Sequence, residues 1–233
     1  MMMLKIAFRN IFRQKRRTIL TMLTMFGGFT LAAFSIGWAD GSYNFIINMF
    51  TRNQLGHVQI HAENYRERPS LYKTIDNYLK VGKQVREIGE VEAWAPRLYS
   101  AGLLSAGDKS TGGRIIGIDP QRESAALDFD RQVTRGQYFS GMDAWEALLG
   151  KGLAEVLKAD VGDSVVVVSQ GADGSIANDI YRIAGIVESG NQMNDRLSFY
   201  LPLHTAQRLL VLENRVHEIA VVVQHLKSVP AVT

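Results

Sequence analysis

The stretch TILTMLTMFGGFTLAAFSIGWA, residues 18–39, decides how the rest of the chain is read. It runs for 22 residues without a charge. As an α-helix rising about 1.5 Å per residue it spans roughly 33 Å, enough for the ~30 Å hydrocarbon core of a bilayer. Lys5, Arg9, Arg13, Lys15, Arg16 and Arg17 precede it with no acid among them, and Asp40 follows it directly. The positive-inside rule then puts the N-terminus in the cytoplasm and everything after Asp40 outside. Gly37 and Ala39 also make a small-x-small pattern that a signal peptidase could cut. The apolar run is longer, however, than the ~7–15 residues of a usual signal core.

The charge of the whole chain is dominated by this end. The 233 residues carry 26 Lys and Arg against 23 Asp and Glu. With the six basic residues of the first 17 set aside, 20 basic and 23 acidic residues remain, so the chain from Thr18 onward is net acidic. A nucleic-acid protein spreads positive charge over a folded face. Here the charge abuts an apolar run, which points to membrane lipid and not to nucleic acid. There is no cysteine. That excludes disulfides, iron–sulfur clusters, thiolate zinc sites and a cysteine nucleophile.

Within residues 1–17, Leu4, Ala7, Phe8, Ile11 and Phe12 recur at helical spacing beside Lys5, Arg9, Arg13 and Arg16. The pattern predicts a basic amphipathic helix on the cytoplasmic membrane surface, with Lys5, Arg9, Arg13, Arg16 and Arg17 at the lipid interface. In the apolar segment Gly28, Ala32, Ser35 and Ala39 fall on one helical stripe. Small residues let helix backbones approach closely in lipid. Gly and Ala are also common in membrane helices, so the stripe reads either as a packing seam or as ordinary composition. Tyr43, Ile46, Ile47 and Phe50 continue on one face past Gly41 and predict a helical stalk over 40–55.

From Gly56 the period changes. Val58 and Ile60 alternate with His57, Gln59 and His61, as in a half-buried strand. A helix is expected near 78–88, strands near 92–104 and 114–118, and one or two short helices over 145–158. Ser164 to Ser169 (SVVVVS) reads as a strand and 170–178 as a hairpin turn before a returning strand at 180–187. Residues 199–203 read as extended, 204–212 as helix and 218–224 as strand. Ser228-Val229-Pro230 is a helix-start signal. The expectation is an α+β extracytoplasmic domain on one transmembrane helix. Its mixed strands and short helices fall in two subdomains, one of about 56–120 plus 200–233 and the other of about 121–199.

Catalytic signatures are missing from the sequence. It holds no G-x-x-x-x-G-K-[ST] phosphate loop, no G-x-S-x-G and no H-E-x-x-H. His57, His61 and Glu63 lie in phase on a strand, and Asp128 and Asp130 form a D-x-D. Exposed polar positions explain both sets as well as metal binding does. The expectation is a non-enzyme with no cofactor, metal or catalytic residue.

Five stretches carry a family resemblance. LKIAFRNIFRQKRRTILTML opens the chain; GHVQIHAENY stands at 56–65 and GKGLAEVLKADVGDSVVVV at 150–168; YRIAGIVESG at 181–190 and FYLPLHTAQRLL at 199–210 complete the set. Together, and in this order, they resemble permease subunits of the MacB-like, lipoprotein-release (LolC/LolE-like) and FtsX-like ABC transporters. The resemblance implies an inner-membrane permease whose large periplasmic domain sits between its first and second membrane helices. It implies as partners a separate ABC ATPase subunit and a second permease copy or paralogue. A lipoprotein or other amphiphile as substrate, or a periplasmic carrier, is also implied. The family's mechanism is mechanical: ATP-driven closure moves the outer domains through helical stalks. The chain is expected to be the N-terminal portion of such a permease. A membrane-anchored sensor or binding domain is the alternative.

Overall fold

The computed structural model describes residues 14–50, 55–224 and 229. The first element, α1, is one helix over Lys15–Phe50, 36 residues long. It contains no proline, and Thr21, Thr24 and Thr30 bond within the helix. The Thr21 hydroxyl donates to the Arg17 carbonyl at 2.9 Å and that of Thr30 to the Phe26 carbonyl at 2.8 Å. Such back-bonding hides hydroxyls in an apolar setting. Phe26, Phe29, Phe34 and Trp38 are all exposed, and by length and apolar composition the helix could cross a membrane. The helix continues through Gly41 to Phe50, so the expected stalk begins as the same helix. Residues 51–54 of the stalk, most of the basic helix predicted before Lys15, and Ser228 and Pro230 lie outside the described residues.

Residues 49–233 form a compact unit of their own. Its elements in order are β1 (Val58–His61), β2 (Ile75–Asp76), α2 (Tyr78–Arg86), β3 (Val91–Ala106) and β4 (Lys109–Ile118). Next come α3 (Pro120–Leu127), a 3-10 turn (Phe129–Gln132), β5 (Val133–Gly136), β6 (Glu146–Gly150) and α4 (Lys151–Leu157). The chain ends in β7 (Ser164–Gln170), β8 (Ile176–Val187), α5 (Gln192–Asp195), β9 (Ser198–Pro202), α6 (Leu203–Leu210), β10 (Arg215–Val216) and β11 (Glu218–Val223). The fold is mixed α+β, as the sequence pattern predicts.

Nine strands form one sheet in the order β1-β11-β3-β4-β9-β6-β8-β5, with β7 bridging β3 and β8. The bridge closes a ring of six strands, β3-β4-β9-β6-β8-β7. Strands from both expected subdomains thus share one hydrogen-bonded system. β4 runs parallel to β9, and β9 pairs β6 across the expected subdomain boundary. Leu98, Leu104, Ile115, Leu149, Val165, Val167, Ile183 and Phe199 have no exposed surface and belong to the main core. A smaller cluster on other faces of the same strands contains Ile116, Ile118, Leu148 and Tyr200.

Two local readings change. The stretch 145–158 is a strand followed by a helix. Ala147, Leu148 and Leu149 are fully buried in sequence, so β6 has two buried faces and shows no alternation. Helix α3 is not among the expected elements. Its N-terminus is nonetheless written in Asp119-Pro120: the Asp119 carboxylate accepts from the backbone N–H groups of Gln121 and Arg122 at 3.1 and 3.0 Å.

Gly150 joins β6 to α4 where α5 passes closely. A methyl group there would stand 2.2 Å from the Asp195 carbonyl oxygen, a backbone atom with little freedom to move. Gly150→Ala is expected to lower unfolding free energy by about 3 kcal/mol. A Cβ at Gly112, an exposed position of β4, meets nothing within 4 Å. Gly112→Ala should stay within about 0.5 kcal/mol of the parent. Urea unfolding of both variants of the detergent-solubilised chain checks this; equal midpoints would contradict the packing argument.

Candidate functional site

Strand register assembles a polar row inside an apolar sheet. Glu218 of β11 stands opposite His61 of β1 on one side and Arg97 of β3 on the other. Helix α3 lays Glu123 over the same place. Arg97 donates from Nε to Glu123 Oε1 at 2.9 Å and from Nη1 to Glu218 Oε1 at 3.3 Å; its Nη2 also donates to Glu123 Oε1. The Tyr99 hydroxyl donates to Glu218 Oε2 at 3.2 Å. His61 Nε2 lies 3.8 Å from that same oxygen. Arg97, Glu123 and Glu218 are all buried.

The electrostatics are lopsided: two carboxylates face one guanidinium. Burial works against the Arg97 charge, but Glu123, Tyr99 and Glu218 around it hold its pKa well above the ordinary value. Burial dominates at Glu123 and raises its pKa in spite of Arg97. Glu123 Oε2 is buried with no hydrogen-bond partner among the described residues. Tyr99 is pushed upward, first by burial and then by Glu218 against the opposing pull of Arg97.

A second set of bonds ties the row to the neighbouring loop. His217 Nδ1 accepts from the Tyr99 backbone N–H at 3.0 Å, and its Nε2–H donates to the Leu71 carbonyl at 3.1 Å. Burial lowers the His217 pKa, and a proton on Nδ1 would face the Tyr99 N–H. His61 Nδ1–H donates to the His217 carbonyl at 3.0 Å. The Tyr65 ring stacks on His61 at 5.2 Å between centroids, and burial lifts the Tyr65 pKa to about 12.

Beside this row lies a cavity of about 1250 Å³. Arg97, Glu123, Glu218 and His61 line one part of it, and Tyr65, Tyr99, Phe129, Tyr200, Ile116 and Leu197 line much of the rest. Phe129 and Tyr200 pack at 4.9 Å between centroids. The cavity therefore combines aromatic and aliphatic walls with a buried ionic floor, the composition of a small-molecule site.

Of the residues singled out from the sequence, His61 joins the row and lines the cavity, and the others lie elsewhere. Lys5, Arg9 and Arg13 fall outside the described residues. Arg16 and Arg17 are exposed in the first turn of α1, and Gly28, Ala32, Ser35 and Ala39 are exposed farther along it. The two metal-like patterns are engaged locally. His57 Nδ1 accepts from the Val223 N–H at 3.1 Å, Asp128 pairs with Arg131 at 3.4 Å, and Asp130 accepts from the Ser124 hydroxyl at 2.6 Å. Among the described residues no three His, Asp or Glu side chains converge in a way that could hold a metal. The buried trio is absent from the sequence-based candidates, although its signal is present. Arg97 interrupts the apolar run AWAPRLY, and Glu218 opens EIAVVV.

The family model of the MacB-like periplasmic core domain matches residues 18–233. The chain belongs to that family. It holds the periplasmic domain of a MacB-like ABC transporter permease behind an N-terminal apolar helix. The periplasmic region of MacB from Actinobacillus actinomycetemcomitans shares the fold, with a TM-score of 0.56 at 16% identity over 80% of this chain and 84% of that one. The extracellular domain of the noncanonic ABC-type transporter YknZ from Gram-positive bacteria does so at a TM-score of 0.52 and 13% identity, over 75% of this chain and 86% of that one. No curated protein sequence matches the chain.

Removing the cation from the MacB-like domain's buried trio leaves two carboxylates in the interior. Arg97→Met is expected to cost about 3–5 kcal/mol of stability. Arg97→Met combined with Glu123→Leu and Glu218→Leu should recover most of that loss, because the triple change removes the charges together with their desolvation cost. Chemical unfolding of the three proteins checks it. A triple variant no more stable than the single one would mean that the trio is needed for the fold itself.

Proposed function

We propose that this chain is part of a permease subunit of the mechanotransmission type. In this reading, ATP hydrolysis on a separate cytoplasmic subunit moves the outer domain and drives export or extraction of a lipoprotein or another amphiphile. The observation that carries it is the continuous family match from Thr18 to Thr233, which takes in both the apolar helix and the outer domain. Residues 1–233 hold no phosphate loop, in keeping with nucleotide chemistry on a separate subunit. The cavity's apolar walls suit an amphiphile. The chain sits in the inner membrane with its N-terminus in the cytoplasm, where Lys5, Arg9, Arg13, Arg16 and Arg17 meet anionic lipid. A second permease copy or paralogue completes the membrane part.

One labelled position tests orientation and coupling together. Asp108 sits at the β3–β4 turn with an 86% exposed side chain. The chain has no native cysteine, so Asp108→Cys is a unique label site. A membrane-impermeant maleimide should label it in intact spheroplasts. In the full permease with its ATPase, spin labels on two copies should shift their distance distribution between the ATP-bound and the ADP states. Labelling only after lysis would overturn the orientation, and a distance unmoved by nucleotide would overturn the coupling.

The small-residue stripe is the proposed contact with a partner helix. A Cβ at Gly28 meets nothing within 4 Å, so the helix itself tolerates a larger residue there. Gly28→Leu is expected to weaken complex formation, whereas Leu31→Ile, off the stripe, should not. Helix contacts in membranes are worth on the order of 1 kcal/mol each, so the defect should appear as lower yield of the complex and not as failed insertion. Equal yields for the two variants would make the stripe a matter of composition.

A further inference from the structure

The cavity beside the buried trio has a chemistry that an inert gap in the packing would not need. Its floor holds two carboxylates and one guanidinium, and one carboxylate oxygen, Glu123 Oε2, has no partner among the described residues although Glu123 is only 1% exposed. An unpaired buried acceptor costs free energy that a donor reaching it would recover. The walls include the aromatic side chains of Tyr65, Tyr99, Phe129 and Tyr200. Aromatic faces attract cations and apolar bodies alike.

We propose that this cavity is a binding site for a primary or secondary ammonium group carried on an apolar body. The ammonium would donate to Glu123 Oε2, which neighbouring side chains cover in this structure and a small local movement would uncover, beside the Arg97–Glu218 pair, with the apolar portion against the aromatic walls. The proposal concerns binding alone and does not depend on the coupling to an ATPase.

Other charges near the site sort into two groups. Asp119 also acts on Glu123, and it is engaged by Arg122 at 3.2 Å. Arg66 and Arg114 line the cavity from exposed positions, and Arg114 donates to Ser198 Oγ at 3.3 Å and to Asn194 Oδ1. These arginines face water, where their repulsion of a cation is screened over about 10 Å. The trio is desolvated: burial favours the neutral form of Glu123, an ammonium beside it favours the ionised form, and the surplus negative charge then acts at low dielectric. The floor therefore sets the sign of the preferred ligand.

Three water-soluble probes of one shape separate the contributions: 4-phenylbutylamine, 4-phenylbutanol and 4-phenylbutyrate. Each is titrated calorimetrically into the full chain in phospholipid nanodiscs, with empty nanodiscs subtracted. The amine is expected to bind about tenfold more tightly than the alcohol, with the carboxylate weakest. Glu123→Gln keeps an oxygen for Arg97 but removes the charge, and should shrink the amine-over-alcohol preference to about threefold or less while alcohol binding persists. Tyr200→Leu should weaken amine and alcohol together. Equal affinity for amine and alcohol in the parent chain overturns the proposal, as does tightest binding of the carboxylate, which would assign the cavity to Arg66 and Arg114. An undiminished amine preference in Glu123→Gln also overturns it. The parent series alone decides the sign of the preference, so a variant that fails to fold does not remove the test.

Discussion

Strand β3 is paired along nearly its whole length of 16 residues, and the rest of the outer domain is arranged around that constraint. β4 covers one edge from Arg97 to Ala106. The other edge is covered by β11 up to Arg97 and by β7 from Leu103. Between them the edge changes partner, and backbone groups there would lack a ladder. Side chains complete the pairing: His217 accepts from the Tyr99 N–H, and the Ser169 hydroxyl donates to the Ala101 carbonyl at 2.8 Å. These two bonds stand in for the missing ladder where the edge passes from one strand to the next.

The same hand-over explains where the ionic floor lies. Arg97 is the last residue of β3 that pairs with β11 and the first that pairs with β4. It sits at the branch, with Glu218 opposite and α3 above. A buried ion pair is weak support for stability, since desolvation offsets most of the attraction. Its constraint is geometric: Arg97 bonds both carboxylates only in the register in which all three meet. The row thereby ties β1, β11, β3 and α3 together while leaving one acceptor, Glu123 Oε2, unmatched beneath the cavity floor.

Much of the architecture was legible in the residues. The charge-free run at 18–39 announced the apolar helix. Alternation at 57–61, the β-branched run at 164–169 and the glycine-rich turn after it marked β1, β7 and the hairpin to β8. Order-preserving local motifs carried the resemblance that the family match supports. Other parts were not legible, for physical reasons. β6 is buried on both faces, so its pattern lacks a period and reads equally well as helix. The pairings of β4 with β9 and of β9 with β6 join residues far apart in sequence, and nothing local encodes such contacts.

By itself the sequence determined the apolar helix, the α+β character of the outer domain and the family, because each rests on local composition, short-range period or motif order. Only the tertiary structure decided that the strands close into a ring, that β3 is shared, and that Arg97, Glu123 and Glu218 meet. Arg97 and Glu218 are 121 positions apart in the chain, and Glu123 reaches them from a helix that packs across the sheet. Arg97 and Glu218 each stand beside an apolar run, but nothing local in the sequence names their partners. Their burial, their imbalance and the cavity beside them arise only when long-range pairing brings them together.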